Sequence, residues 1–142
     1  MGKNLVSING LEYSASENIN FNLKIKKFGL NKSDSILIHG ESGAGKSTFL
    51  NLLSGTLNPK IGNINILGTD ITKISSSQKD IMRGDHFGIV FQTFNLLPYL
   101  SVKNNILLGT AYSRKKELKS DKEEVKVLMD KLALNYDELI DR

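Results

Sequence analysis

The chain has 142 residues, enough for one domain or for part of a larger one. Hydrophobic residues make up 39% and charged residues 24%, as in ordinary globular proteins, and the formal net charge is +4. Apart from two short runs the lysines are scattered, which argues against a nucleic-acid partner. There is no cysteine, so disulfides, cysteine-based zinc sites and thiol nucleophiles are excluded.

No apolar run approaches the ~20 residues that a membrane helix needs. The first residues, Met1–Val6, contain no signal-peptide core. Val6 also stands where a myristoylation motif needs Ser or Thr. We therefore expect a soluble, cytoplasmic protein that meets a membrane only through a partner.

The first elements in chain order are two half-buried strands, predicted over residues 5–13 and 19–25 from their partial alternation of apolar and polar side chains. Residues 14–18 between them and residues 33–34 after them are predicted turns. The apolar run 35–39, which ends at a glycine, predicts a buried strand.

A helix is predicted from about Lys46 to a stop at Gly55. Its expected apolar face consists of Phe49, Leu52 and Leu53. Residues 62–67 are a predicted strand, and residues 78–83 are a predicted short helix. The spacing of Ser75 and Gln78 is typical of a capping box.

Further along, the apolar run 87–92 predicts another strand, and Ser101 is expected to cap a helix that ends near Gly109. A second capping-box spacing at residues 120–123 predicts an amphipathic helix. Its apolar side chains are Val125, Leu128, Met129 and Leu132. The alternation of strands and helices after residue 35 indicates an α/β fold with a parallel sheet.

One segment carries recognisable chemistry: residues 40–47, G-E-S-G-A-G-K-S, match the phosphate-loop motif G-x-x-x-x-G-K-[ST] in full. Its glycines let backbone N–H groups approach phosphate oxygens, and the helix N-terminus that follows adds donors and a positive dipole end. Lys46 can reach the β- and γ-phosphates, Ser47 offers a hydroxyl to Mg²⁺, and Thr48 can bond the α-phosphate. The predicted nucleotide-binding residues of this loop are Gly40, Glu41, Ser42, Gly43, Ala44, Gly45, Lys46, Ser47 and Thr48.

A phosphate loop does not by itself identify the reaction, because kinases, GTPases and transport ATPases all contain one. Residues 31–34 spell N-K-S-D and residues 85–88 spell D-H-F-G, two patterns typical of GTPases. However, only one strand fits between Asp34 and Gly40, and the second pattern precedes its apolar run instead of following it. A circularly permuted GTPase is therefore a minor alternative.

Several further stretches resemble the nucleotide-binding subunit of ABC transporters, and the resemblance as a whole extends over roughly residues 5–140. The most specific is G-I-V-F-Q-T-F-N-L-L-P at residues 88–98, which is similar to the family's Q-loop. The other similar stretches are the phosphate loop with its helix (40–55), a P-x-x-G-x-I turn and strand (58–64), a G-x-D-I element (68–71) and the start of a helix (101–106). The likeness is nearest to subunits of the lipoprotein-releasing and macrolide-export type.

The resemblance implies a P-loop NTPase core with an N-terminal antiparallel β element, incomplete at the C-terminus. Residues 1–142 are then expected to form a single, truncated nucleotide-binding domain. The implied ligands are ATP and Mg²⁺, with Ser47 and Gln92 directed to the metal. Gln92 would position Mg²⁺ or the attacking water, and Tyr13 would stack on adenine.

The resemblance also implies two protein partners. One is a transmembrane transporter subunit, which would select the substrate and hold this chain at the inner face of the membrane. Its coupling helix would contact one surface of this chain. That surface would contain, or lie beside, Phe94, Leu96, Leu97 and Tyr99. The other partner is a second nucleotide-binding subunit, in a dimer that encloses two ATP molecules.

Other motifs of the family do not occur in these 142 residues: an LSGGQ signature, a strand ending in Asp-Glu and a switch histidine. We therefore expect the N-terminal portion of a nucleotide-binding subunit, which does not turn over ATP by itself. The alternative function is a non-hydrolytic module that binds ATP or a partner.

Overall fold

The computed structural model describes residues 4–16, 19–93, 95–108 and 121–140. The chain packs as two compact units, Met1–Lys79 and Asp80–Arg142. The strands are β1 (Val6–Ser16), β2 (Ile19–Leu30), β3 (Ile61–Ile66) and β4 (Thr69–Asp70), and the helices are α1 (Lys46–Leu53), α2 (Ser76–His86), α3 (Val102–Leu108), α4 (Asp121–Lys131) and α5 (Tyr136–Leu139). Among the described residues, no helix has both the length and the apolar character needed to cross a bilayer.

The first unit contains a four-stranded antiparallel sheet in the order β2-β1-β3-β4. The hairpin of β1 and β2 places Tyr13 opposite Leu23, and β3 pairs with the other edge of β1. The predicted strands at residues 5–13, 19–25 and 62–67 are confirmed, and β2 continues to Leu30. The predicted turn at residues 14–18 is wrong for residues 14–16, which belong to β1, and residues 17–18 lie outside the described part.

A close approach of two backbones bends β1. Gly10 has a φ of 56° and Gly62 a φ of 89°, and a Cβ on Gly62 would lie 2.4 Å from the carbonyl oxygen of Gly10. Only glycine fits at such a distance, and the register between β1 and β3 shifts here. Because of this bend Ile8 and Leu11, three residues apart, both reach the core.

Helix α1 packs on this sheet through the face predicted from its sequence. Phe49 and Leu52 are buried, and the Phe49 ring meets Phe28 of β2 edge-to-face, with 5.3 Å between the ring centroids. The helix ends at Leu53, and Gly55 follows in the left-handed conformation expected of a C-terminal stop. The core of the first unit consists of Ile8, Leu11, Phe49, Leu52, Ile64, Ile66 and Ile71.

Two strand predictions are wrong for the described residues. Residues 35–39 and 87–92 form no strand there, and the side chains of Leu37 and Val90 are 85% and 99% exposed. An apolar run becomes a buried strand only when other strands pair with its edges, and no described residue does so for these two runs. The predicted parallel sheet is absent from the described residues for the same reason.

The helix caps predicted at Ser75 and Ser101, by contrast, are confirmed. At the start of α2 the Ser75 hydroxyl accepts the Gln78 N–H at 3.3 Å, while the Gln78 carboxamide oxygen accepts the Ser75 N–H at 2.9 Å. At the start of α3 the Ser101 hydroxyl accepts the Asn104 N–H at 3.3 Å. The capping box predicted at residues 120–123 begins outside the described residues.

The core of the second unit is small and helical. Val125 and Met129 of α4 are buried against Tyr136 and Ile140. The predicted apolar face of α4 is therefore confirmed only in part, because Leu128 and Leu132 are exposed.

Candidate functional site

The phosphate loop joins the extended segment before Gly40 to the first turn of α1. Gly43 and Gly45 have φ angles of 81° and 92°, which L side chains rarely adopt. The Ala44 N–H donates to the Glu41 carbonyl oxygen at 3.2 Å and closes a turn inside the loop. The loop is exposed from Gly40 to Ala44, so its backbone is accessible to a ligand.

Lys46 folds back over this loop. Its Nζ donates to the carbonyl oxygens of Gly40 at 2.8 Å and Glu41 at 2.7 Å. Both of these acceptors are backbone carbonyl oxygens, and they hold the ammonium group at the mouth of the loop. A phosphate bound by the loop would lie against this charge.

The start of α1 supplies the remaining polar groups. Gly45 is the N-cap and has no side chain to occupy the first N–H groups of the helix, which have no partner within the helix itself. These donors and the positive end of the helix dipole suit an anion. The adjacent Ser47 is exposed, whereas Thr48 is half-buried.

The Ser47 hydroxyl at the loop is a ligand of the kind that Mg²⁺ takes. Mg²⁺ prefers oxygen ligands and usually keeps waters and substrate phosphates in its coordination shell. Gln92, the other residue predicted for the metal, belongs to the second unit. The described residues contain no group of three or more His, Cys, Asp or Glu side chains that could hold a metal by themselves. The phosphates would therefore have to supply most of the ligands.

Two side chains of β2 contact the loop at Gly45. A Cβ on Gly45 would lie 2.8 Å from Cζ of Phe21 and 3.6 Å from Cδ1 of Leu23. Sequence reasoning missed Phe21, although its alternation with Leu23 and Ile25 places all three on one face of the strand. Beside the loop lies a cavity of about 300 Å³, lined by Leu23, Ile25, Lys27, Phe28, Ile38, His39, Ala44, Gly45, Lys46 and Phe49.

Tyr13, predicted to stack on a base, is half-buried in β1. It pairs with Leu23, and directly opposite residues of two strands project to the same face of the sheet. Since Leu23 contacts Gly45, Tyr13 lies one side chain away from the phosphate loop.

Gln92 lies in the second unit, at an exposed bend outside the helices and strands. Of the residues predicted for partner contact, Phe94 lies outside the described residues, while Leu96 and Tyr99 are 67% and 78% exposed. Leu97 is half-buried at a cavity of about 370 Å³, which is lined by Leu96, Leu97, Pro98, Leu100, Val102, Asn105 and Ile106.

Asn105 shapes this cavity by fixing the turn that precedes α3. Its Oδ1 accepts the Leu97 N–H at 2.8 Å. Its Nδ2 lies within hydrogen-bond distance of three carbonyl oxygens, those of Leu97 (3.1 Å), Leu100 (3.0 Å) and Ser101 (3.1 Å). The hydrogen bonds of Asn105 thus hold the shape of the turn that carries the exposed apolar side chains.

The two GTPase-like patterns have local structural roles. The carboxylate of Asp34 accepts both the N–H and the side-chain Nδ2 of Asn31, at 2.7 and 3.1 Å. These hydrogen bonds confirm the turn predicted at residues 33–34. They also occupy the carboxylate that would recognise guanine in a GTPase. Asp85 lies in α2, so the second pattern starts within a helix.

Asp70, in the G-x-D-I element, has a perturbed pKa. Burial raises the pKa, but hydrogen bonds from the hydroxyl and N–H of Thr72 and the charge of Lys73 outweigh it. The net result is a pKa below the ordinary value of an aspartate. The same hydrogen bonds and ion pair hold the turn after β4.

The sequence profile of the ABC transporter family matches residues 23–142, and the chain belongs to this family. It is 42% identical over 89 residues to the ABC transporter ATP-binding protein YtrE of Bacillus subtilis, covering 63% of this chain and 38% of that protein. It is 33% identical over 110 residues to the lipoprotein-releasing system ATP-binding protein LolD of Coxiella burnetii, covering 78% of this chain and 47% of that protein. The chain thus spans less than half the length of these relatives, and the resemblance found in the sequence is confirmed.

The fold is similar to that of the ATP-binding cassette MJ0796, solved as a dimer in a post-hydrolysis state bound to ADP and Pi. The TM-score is 0.71 at 22% identity, and the match covers 96% of this chain and 61% of that one. The predicted fold class, a P-loop NTPase core with an N-terminal antiparallel β element, is confirmed.

Proposed function

We propose that this chain is the nucleotide-binding part of an ABC transporter and that it binds Mg·ATP through residues 40–48. The observation that carries the proposal is the position of Lys46, whose ammonium group is held over the mouth of the loop at the start of α1. The names of YtrE and LolD, both ATP-binding proteins, and the ADP and Pi in MJ0796 support a nucleotide as the ligand. The two compact units would be parts of one nucleotide-binding domain.

Each polar group of the site has a distinct role in this proposal. Lys46 would neutralise the β- and γ-phosphates, and Thr48 would bond the α-phosphate. Ser47 and Gln92 would hold Mg²⁺, and Gln92 would orient a water near the γ-phosphate. Tyr13 would stack on adenine. Bound Mg²⁺ would supply charge neutralisation to the phosphates.

The partners follow from the same assignment. The apolar turn at Leu96, Leu97 and Tyr99 would receive the coupling helix of a transmembrane subunit, which would keep the chain at the inner face of the membrane. The exposed side chains of Leu96 and Tyr99 and the cavity beside Leu97 support this surface. A second nucleotide-binding subunit would complete a dimer, as in the dimeric MJ0796.

Calorimetric titration with Mg·ATP tests the site. Lys46→Ala should abolish measurable binding, because it removes the cation at the loop and leaves the backbone intact. Lys60→Ala removes the same charge from an exposed turn elsewhere and should bind like the parent. Equal affinity of the parent and Lys46→Ala would refute the proposal.

Two measurements separate the alternatives. Phosphate release no faster than that of Lys46→Ala would favour a non-hydrolytic binding module for these 142 residues, while faster Mg²⁺-dependent release would show turnover. Competition between GTP and ATP separates a transporter ATPase from a GTPase, since the engaged Asp34 carboxylate gives no reason to prefer guanine.

A further inference from the structure

Phe21 forms a contact with the phosphate loop that neither the motif nor the core explains. Its ring lies so close to Gly45 that a Cβ there would be 2.8 Å from Cζ and 3.4 Å from Cε2. The loop residue before Lys46 is thus covered by an aromatic side chain from β2. The fully buried core positions of this unit are occupied by other residues, and Phe21 itself is only half-buried.

The ring of Phe21 lies beside the phosphate loop, as the nucleoside of a loop-bound nucleotide would. The ribose of a nucleotide is joined directly to its α-phosphate, so the sugar and base of a loop-bound nucleotide must lie beside the loop. Phe21 and Leu23 both contact Gly45 there, and Leu23 is the pairing partner of Tyr13.

Strand geometry relates Phe21 to Tyr13. Phe21 lies two residues before Leu23 and therefore projects to the same face of the sheet. It is the diagonal cross-strand neighbour of Tyr13, and such neighbours lie about 7–8 Å apart. At this backbone spacing, two aromatic side chains on one face of a sheet are close enough to contact the same base.

We propose that Phe21 contacts the nucleoside of the bound nucleotide and, with Tyr13, forms a two-sided aromatic site for the base. The inference rests on the proposed function. It makes Phe21 a binding residue that selects a nucleotide over a bare polyphosphate, because an aromatic face attracts a base and offers little to a phosphate chain.

Titration with two ligands tests the inference: Mg·ATP and Mg·tripolyphosphate, which has the three phosphates without the nucleoside. Phe21→Leu retains apolar packing against Gly45 and removes the aromatic face. It should weaken ATP binding by about 5- to 150-fold, the change that corresponds to one lost base–aromatic contact. Its tripolyphosphate affinity should stay within about twofold of the parent. Phe21→Tyr keeps the ring and should bind both ligands like the parent.

A matched control lies on the same strand. Phe28→Leu removes a ring that packs on Phe49, and it should lower stability without changing the ratio of the two affinities. If Phe21→Leu weakened the binding of both ligands equally, or of neither, the inference would be overturned. The phosphate site would still be supported if Lys46→Ala abolished binding. Failure of the parent chain to bind either ligand would overturn the proposed function as well.

Discussion

Tyr13 is joined to the phosphate loop through a single neighbouring side chain, that of Leu23. If its ring stacks on adenine, Tyr13→Ala should weaken ATP binding by about 1–3 kcal/mol, whereas Tyr13→Trp should be tolerated. Titration calorimetry measures both. Tyr99→Ala, the same change at an exposed residue of the second unit, is the control. Unchanged binding by Tyr13→Ala would leave Tyr13 as a strand residue only.

Asp70 makes the stability of the first unit depend on pH. Because its pKa is lowered in the folded chain, its contribution is present above the pKa of the unfolded chain and is lost as the pH falls through the folded value. The parent should therefore exceed Asp70→Asn in free energy of unfolding at pH 7, and the difference should shrink below about pH 4.

Urea denaturation at pH 7 and pH 3 measures this difference. Asp130→Asn, at an exposed position of α4, should show no comparable change between the two pH values. A difference between the parent and Asp70→Asn that is the same at both pH values would contradict the assignment.

At the scale of single residues, the sequence identified those residues whose role is specified by a motif. Gly43, Gly45 and Lys46 could be assigned because their spacing fixes their chemistry. Phe21 could not, because alternation shows which face of a strand a residue occupies but not what lies against that face. The contact with Gly45 is made across 24 residues of chain and depends on tertiary packing.

Among the elements, the turn before α3 depends on one side chain. Asn105→Ala removes the acceptor of the Leu97 N–H and the carboxamide group that lies beside three carbonyl oxygens. At about 0.5–1.5 kcal/mol for each hydrogen bond, and with water replacing part of the loss at this half-buried site, we expect a destabilisation of about 2 kcal/mol.

Urea denaturation measures that loss, and amide hydrogen exchange locates it, since the Leu97 amide should lose protection. Asn104→Ala is the matched control, because this exposed neighbour donates to the capping Ser101 hydroxyl through its backbone N–H, which the truncation keeps, so stability should be nearly unchanged. Equal stability of the two variants would show that the hydrogen bonds of Asn105 contribute little.

Most of the elements that could be predicted are stabilised by nearby residues, and β3, which pairs with the distant strand β1, is the exception. The hairpin strands pair across a short connection, and the caps at Ser75 and Ser101 act over three residues. Residues 35–39 and 87–92 have the composition of buried strands, but composition does not supply the strands beside them. Their burial would require partners distant in sequence, which a local pattern cannot reveal.

At the scale of the whole molecule, these two runs predict self-association. They expose apolar side chains and take part in no strand pairing among the described residues, which favours pairing between chains. Leu37→Lys and Val90→Lys should each reduce light scattering at a given protein concentration. Leu132→Lys, which places the same charge at an exposed position beside a helix end, should change it little. Equal scattering by all three variants would contradict the prediction.

The two hydrogen bonds of Lys46 affect what phosphate binding to the loop would cost. An ammonium group has three N–H donors, and among the described residues the carbonyl oxygens of Gly40 and Glu41 accept from it. A bound phosphate can therefore accept a hydrogen bond from Lys46 without displacing either carbonyl oxygen. Each further hydrogen bond to the phosphate would give up one bond within the loop, which offsets part of the gain in charge pairing.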